Sequence, residues 1–137
     1  MRRRFTLLWA LVVLGAALAL PASIAAGSNG FTYKVPYNYC NGYQVNMKVK
    51  NIAAGWTSAD GLTVESKAQR KTSSGWQTVY TWARAEYSFP TNGQQHSLTT
   101  WRSYNGNSSY YFRLWFRLRV WDGNYILAQK VLTSVKC

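Results

Sequence analysis

Residues 110–121 read Tyr110-Tyr111-Phe112-Arg113-Leu114-Trp115-Phe116-Arg117-Leu118-Arg119-Val120-Trp121, and this stretch decides the fold class. Split by parity, the even positions are Tyr110, Phe112, Leu114, Phe116, Leu118 and Val120, all suited to a core. The odd positions are Tyr111, Arg113, Trp115, Arg117, Arg119 and Trp121. On a helix Arg113 and Arg117 would share a face and Arg119 would leave it. On a strand, successive side chains point to opposite faces. The stretch then buries one apolar row and shows an arginine–indole row on the other side.

Outward from this strand, Asp122-Gly123-Asn124 turns the chain into a last strand. Similar turn signals recur upstream at Asn41-Gly42, Asp60-Gly61, Ser73-Ser74-Gly75, Asn92-Gly93 and Asn105-Gly106-Asn107. Glycine supplies positive φ there and Asn or Asp tolerates it. The segments between them alternate. Phe31, Tyr33, Val35, Tyr37 and Tyr39 stand against Thr32, Lys34, Pro36 and Asn38. Tyr43, Val45, Met47 and Val49 stand against Gln44, Asn46, Lys48 and Lys50. Period two with one apolar face predicts half-buried strands. Pro36 cannot donate to a ladder, so the first strand is expected at an edge or with a bulge.

Strands are predicted over 31–39, 43–50, 62–71, 76–87, 95–102, 109–121 and 125–135. About seven antiparallel strands with this spacing predict an all-β chain, a single sandwich of immunoglobulin or fibronectin III-like architecture.

The sandwich is expected over 31–137. Before it, Arg2, Arg3 and Arg4 precede an apolar run from Phe5 to Leu20, then Pro21, Ala22, Ser23, Ala25 and Ala26. A charged region, an apolar region and a small-residue region in that order predict a secretory signal helix over 1–26. Cleavage is expected after Ala25 or Ala26, with 27–30 a flexible leader. The run is short for a retained span, and no later run is long enough to cross a bilayer. Export by the general route from a bacterium is expected, so the mature chain is secreted.

Removing three arginines takes the formal charge from +12 to +9, with only Asp60, Glu65, Glu86 and Asp122 acidic. Such a field attracts anionic polymers and surfaces, and it also keeps a protein soluble. The two cysteines, Cys40 and Cys137, are expected to pair. In an exported chain an even count favours a disulfide. If seven strands alternate in direction, both cysteines fall at the same end of the sandwich.

No chemistry-bearing motif is present. His96 is the only histidine, so no zinc cluster and no cofactor is expected. Asp60 and Asp122 read as turn residues, and no nucleophile motif or phosphate loop occurs. The chain is therefore expected to be a non-enzymatic binding module. The expected ligand face is Arg113, Trp115, Arg117, Arg119 and Trp121, taking an anionic polysaccharide or cell surface. Lys67, Arg70, Lys71, Arg84 and Arg102 would add charge if their strands lie alongside. The competing structural role for the same row is a cation–π ladder between neighbouring strands. Two other classes fit the composition: a membrane-active antibacterial protein, and a protease inhibitor presenting the loop 91–95. The export signal argues against nucleic acid as partner. Oligomeric state is not encoded in any recognisable pattern.

Overall fold

The computed structural model describes residues 29–90 and 92–137. The signal segment 1–26 and residues 27 and 28 of the expected leader lie outside the described residues. The strands are β1 (Gly30–Asn41), β2 (Gln44–Ala54), β3 (Gly61–Thr72), β4 (Gly75–Thr81), β5 (Ala85–Ser88), β6 (His96–Asn105), β7 (Phe112–Asp122) and β8 (Tyr125–Thr133). Gly30, expected in the leader, is the first residue of β1 and pairs with Ala54.

Two antiparallel sheets form a sandwich. One has the order β1-β2-β6, and the other has β4-β3-β7-β8 with β5 also on β3. This is an immunoglobulin or fibronectin III-like arrangement, as the strand spacing predicted. Between the sheets Val45, Met47 and Val49 of β2 meet Val64 and Ala68 of β3 and Phe112, Leu114, Phe116 and Leu118 of β7. Val120 continues the β7 row into a second cluster with Ala53, Leu62 and Phe89.

Eight strands replace the expected seven because the predicted strand 76–87 breaks after Thr81. Both β4 and β5 pair antiparallel to β3, so they run in one direction as one interrupted strand. The Trp82 N–H still donates to the Ser66 carbonyl across the break, at 3.1 Å. At the break the Trp82 ring packs edge-on against Tyr80 and Tyr104. The alternation of direction is therefore preserved, and Cys40 and Cys137 do meet. Their Cα atoms are 5.5 Å apart in a disulfide.

That bond ties β1, at the edge of one sheet, to the tail after β8, at the edge of the other. The tail is seated by reciprocal bonds between Phe112 and Cys137, both 2.9 Å, and by Asn38 Oδ1 accepting the Val135 N–H at 2.8 Å. The bridge spans 97 residues of sequence. Closing a loop of that size in the unfolded chain is worth roughly 4–5 kcal/mol in the chain-entropy model. Replacing Cys40 and Cys137 together with alanine should lower the unfolding free energy by about that amount. A urea titration should show it as a lower midpoint, with a somewhat steeper slope because the uncrosslinked unfolded chain exposes more surface.

Candidate functional site

Within β7 the parity is as predicted, while Tyr110, expected in the buried row, precedes the strand and is 46% exposed. Phe112, Leu114, Phe116, Leu118 and Val120 are buried, while Arg113, Trp115, Arg117, Arg119 and Trp121 lie half-buried on the outer face. The register sets β3 residues beside them: Gln69 against Arg113, Lys67 against Trp115, Glu65 against Arg117 and Thr63 against Arg119. On the other side lie Thr133, Val131 and Gln129 of β8.

These neighbours make the face a bonded ladder. The Arg113 guanidinium sits 4.2 Å from the Trp76 ring centre, and Lys71 approaches the same ring at 5.6 Å. Lys67 and Arg117 approach Trp115 at 5.1 and 5.5 Å, and Arg119 approaches Trp121 at 5.4 Å. Each such contact is worth about 0.5–1 kcal/mol where solvent reaches it. Glu65 joins the centre. It accepts from Arg117 Nε at 2.9 Å and from Arg119 Nη1 at 3.3 Å. Arg113 Nε donates to Gln69 Oε1 at 2.9 Å, and Arg119 Nε to Gln129 Oε1 at 2.8 Å. Trp121 Nε1 donates to Thr63 Oγ1 at 2.6 Å. Burial lowers the Arg113 guanidinium from its ordinary value, yet an arginine stays protonated in a protein.

Stacking and charge thus separate on this face. The rings already carry cations. The charge persists: Lys67, Lys71, Arg113, Arg117 and Arg119 stand against Glu65 alone. Of the other cations singled out in the sequence, Arg70 leaves this face and covers Tyr110 at 4.6 Å. Arg102 belongs to β6, bonds Ser66 Oγ at 2.8 Å and lies over Trp82. Arg84 pairs with Glu86.

Two β-bulges change which way aromatic residues face. One lies between Lys34 and Tyr37, opposite Lys50 and Lys48. The extra residue beside Pro36 reverses the parity of β1. Phe31 and Val35 pack on the core, but Tyr37 and Tyr39, expected on that same face, turn to solvent. The other bulge, at Ala68 and Gln69 opposite Thr78 and Tyr80, separates Trp76 from Tyr80 and Trp82. Trp76 joins the ladder, while Tyr80 and Trp82 cluster with Tyr104.

On the outer face of β1-β2-β6, Tyr37 pairs with Lys48 and Lys48 with Trp101. Tyr37, Tyr39 and Trp101 are 52, 49 and 57% exposed. With Lys48 they line a concavity of about 250 Å³. Trp101 falls in the predicted strand 95–102, but nothing local marked it for this face; the Pro36 position was the available signal.

A larger cleft of about 680 Å³ lies beside the β7–β8 turn and includes Asp60, Arg84, Glu86 and Tyr87. Asp60 Oδ2 accepts the Gly123 N–H at 2.8 Å, and Glu86 is held by Arg84. Among the described residues no group of three or more His, Cys, Asp or Glu is placed to hold a metal. Among the described residues no helix is long and apolar enough to cross a membrane. Thr91, in the loop considered for protease inhibition, lies outside the described residues.

No protein-family model matches the sequence, and no curated protein does. Among solved structures the chain is similar to part of β-glucuronidase 2 of Bacteroides uniformis. The TM-score is 0.46 at 13% identity, over 79% of this chain and 13% of that one. It is similar to part of a glycosyl hydrolase family 2 member from Bacteroides cellulosilyticus, with TM-score 0.45 at 8% identity over 76% and 14%. It is also similar to the E. coli curli protein CsgC, with TM-score 0.37 at 20% identity over 77% and 97%. The chain spans a small part of the two hydrolases. No activity is inferred from likenesses this distant; the class established is an all-β sandwich closed by a disulfide.

Glu65 is the one carboxylate bridging Arg117 and Arg119, and it is only 23% exposed. Glu65→Gln should therefore lower stability by about 1.5–3 kcal/mol, the range for a hydrogen bond to a charged group. Chemical denaturation of the two proteins at one pH and salt concentration measures it.

Proposed function

We propose that this chain is an exported, non-enzymatic binding module of a bacterium that holds an anionic cell-surface or cell-wall glycopolymer. The observation that carries this reading is the charge of the β3–β7 outer face. Five cations, Lys67, Lys71, Arg113, Arg117 and Arg119, flank one carboxylate, Glu65. Residues two apart on a strand are spaced by roughly 6.6 Å. The cations therefore form an extended, rigid array suited to a repeating polyanion. Arg113, Arg117 and Arg119 are held in place by their stacking and hydrogen bonds, which reduces the ordering cost of binding. Lys67 and Lys71 meet no carboxylate among the described residues, so they are the cations most available to a ligand. The disulfide and the predicted signal both suit an oxidising compartment outside the cytoplasm.

Reversing Lys67 and Lys71 to glutamate removes the excess charge of this face. Retention of the mature protein on an immobilised acidic polysaccharide should then weaken by about tenfold or more, counting about 1 kcal/mol per charge near an anionic surface. Retention of the unaltered protein should also fall steeply between low and physiological salt, because exposed charges are screened. Retention that ignores both salt and the double reversal would refute the reading. Dye release from anionic vesicles at the same concentrations would instead identify a membrane-active protein.

A further inference from the structure

We infer that the outer face of β1-β2-β6 holds a second site, a saccharide subsite that takes a single acidic sugar unit between Tyr37 and Trp101 with its anionic group on Lys48. The inference rests on the glycopolymer reading above and adds a sugar-binding locus to it, on the opposite sheet from the cationic ladder.

Three observations lead there. First, two of the three rings are free of cations. Tyr37, Tyr39 and Trp101 are each about half exposed, and all three border one concavity. The indoles of the ladder carry cations over their faces, whereas among the described residues no cation is placed over Trp101 or Tyr39; Lys48 approaches Tyr37 at 5.4 Å. Exposed aromatic groups gathered on one rigid patch mark an interaction site more often than scattered ones do.

Second, the spacing is fixed by the sheet. Tyr37, Lys48 and Trp101 occupy one row across three hydrogen-bonded strands. Neighbouring strands lie about 4.8 Å apart, so the two aromatic residues are rooted roughly 10 Å apart with the lysine between them. A flat ring can rest against either aromatic side chain while a substituent meets the ammonium group. Tyr39 stands edge-on to Tyr37, with ring centres 6.4 Å apart, and walls the concavity on one side.

Third, the charge selects the ligand. Lys34 and Lys50 form the adjacent row. The three strands contain no aspartate or glutamate to neutralise them. A neutral sugar would use the rings alone; an acidic one uses the rings and Lys48 together. The bulge at Pro36 is the device that creates the site. Without the extra residue Tyr37 and Tyr39 would keep the parity of Phe31 and point at the core. Bulges of this kind re-aim side chains at functional positions.

Calorimetry on the mature protein at low salt tests this with three probes: tetragalacturonate, a heparin tetrasaccharide and maltotetraose. At least one acidic tetrasaccharide should bind about tenfold more tightly than maltotetraose. Trp101→Ala and Tyr37→Ala should each weaken it by about tenfold, as truncating an anchoring aromatic does. Lys48→Gln should erase the preference for acidic over neutral sugar. Tyr125→Ala, which removes a still more exposed ring at the start of β8, should change nothing. The inference is overturned if neither acidic probe binds, if maltotetraose binds equally well, or if both aromatic truncations leave the affinity intact. Unchanged thermal midpoints in the two truncated proteins exclude unfolding as the cause of any loss. Polymer retention measured in parallel separates the two readings. If the unaltered protein stays on the polymer but binds no tetrasaccharide, this site falls and the charged-face reading stands. If the unaltered protein is not retained at low salt, the charged-face reading falls.

Discussion

Five side chains of β7, Phe112, Leu114, Phe116, Leu118 and Val120, lie out of solvent between the sheets. Burying each contributes about 1.5–3 kcal/mol relative to leaving it exposed. The strand pairs with β3 on one side and β8 on the other, so it organises a whole sheet. Its pleat also determines everything on the outside. A slip of one residue would carry Arg113, Arg117 and Arg119 into the core, where unpaired charges are not tolerated. The apolar row therefore determines where the cationic row stands, and the ladder built on that row adds bonds that hold the register.

Departures from strict alternation matter as much as the alternation. The bulge beside Pro36 turns two tyrosines outward, and the bulge at Ala68 and Gln69 splits Trp76 from Tyr80 and Trp82. Each costs one unpaired residue in a ladder and redirects side chains large enough to fill or empty a surface. Together they give the two outer faces different chemistry. One carries rings covered by cations; the other carries half-exposed rings around a lysine that reaches only Tyr37.

The four acids sharpen that difference. Glu65 bridges two arginines, Glu86 holds Arg84, and Asp60 ties down the β7–β8 turn. These three carboxylates all have partners in or beside the β4-β3-β7-β8 sheet. The opposite sheet has none in its strands. The positive charge of the chain is thus partly offset on one sheet and wholly unopposed by strand carboxylates on the other, a distribution that a net charge does not reveal.

The sequence by itself determined the all-β class, the inward and outward rows of β7, and the pairing of Cys40 with Cys137. Parity is a local property, and a strand obeys it wherever its neighbours lie. The positions of Trp115 and Trp121 on the outer row were legible for the same reason. Their partners were not: Trp76 reaches Arg113, and Glu65 reaches Arg117, only because β4, β3 and β7 lie side by side in that register. The face of Tyr37 and Tyr39 was misread because the position of a bulge is set by pairing with β2, which alternation within β1 does not contain. Trp101 entered the same concavity only once β2 brought β6 beside β1. Contacts between strands far apart in sequence are decided by which sheet each joins and in what register, and that is a property of the assembled sandwich.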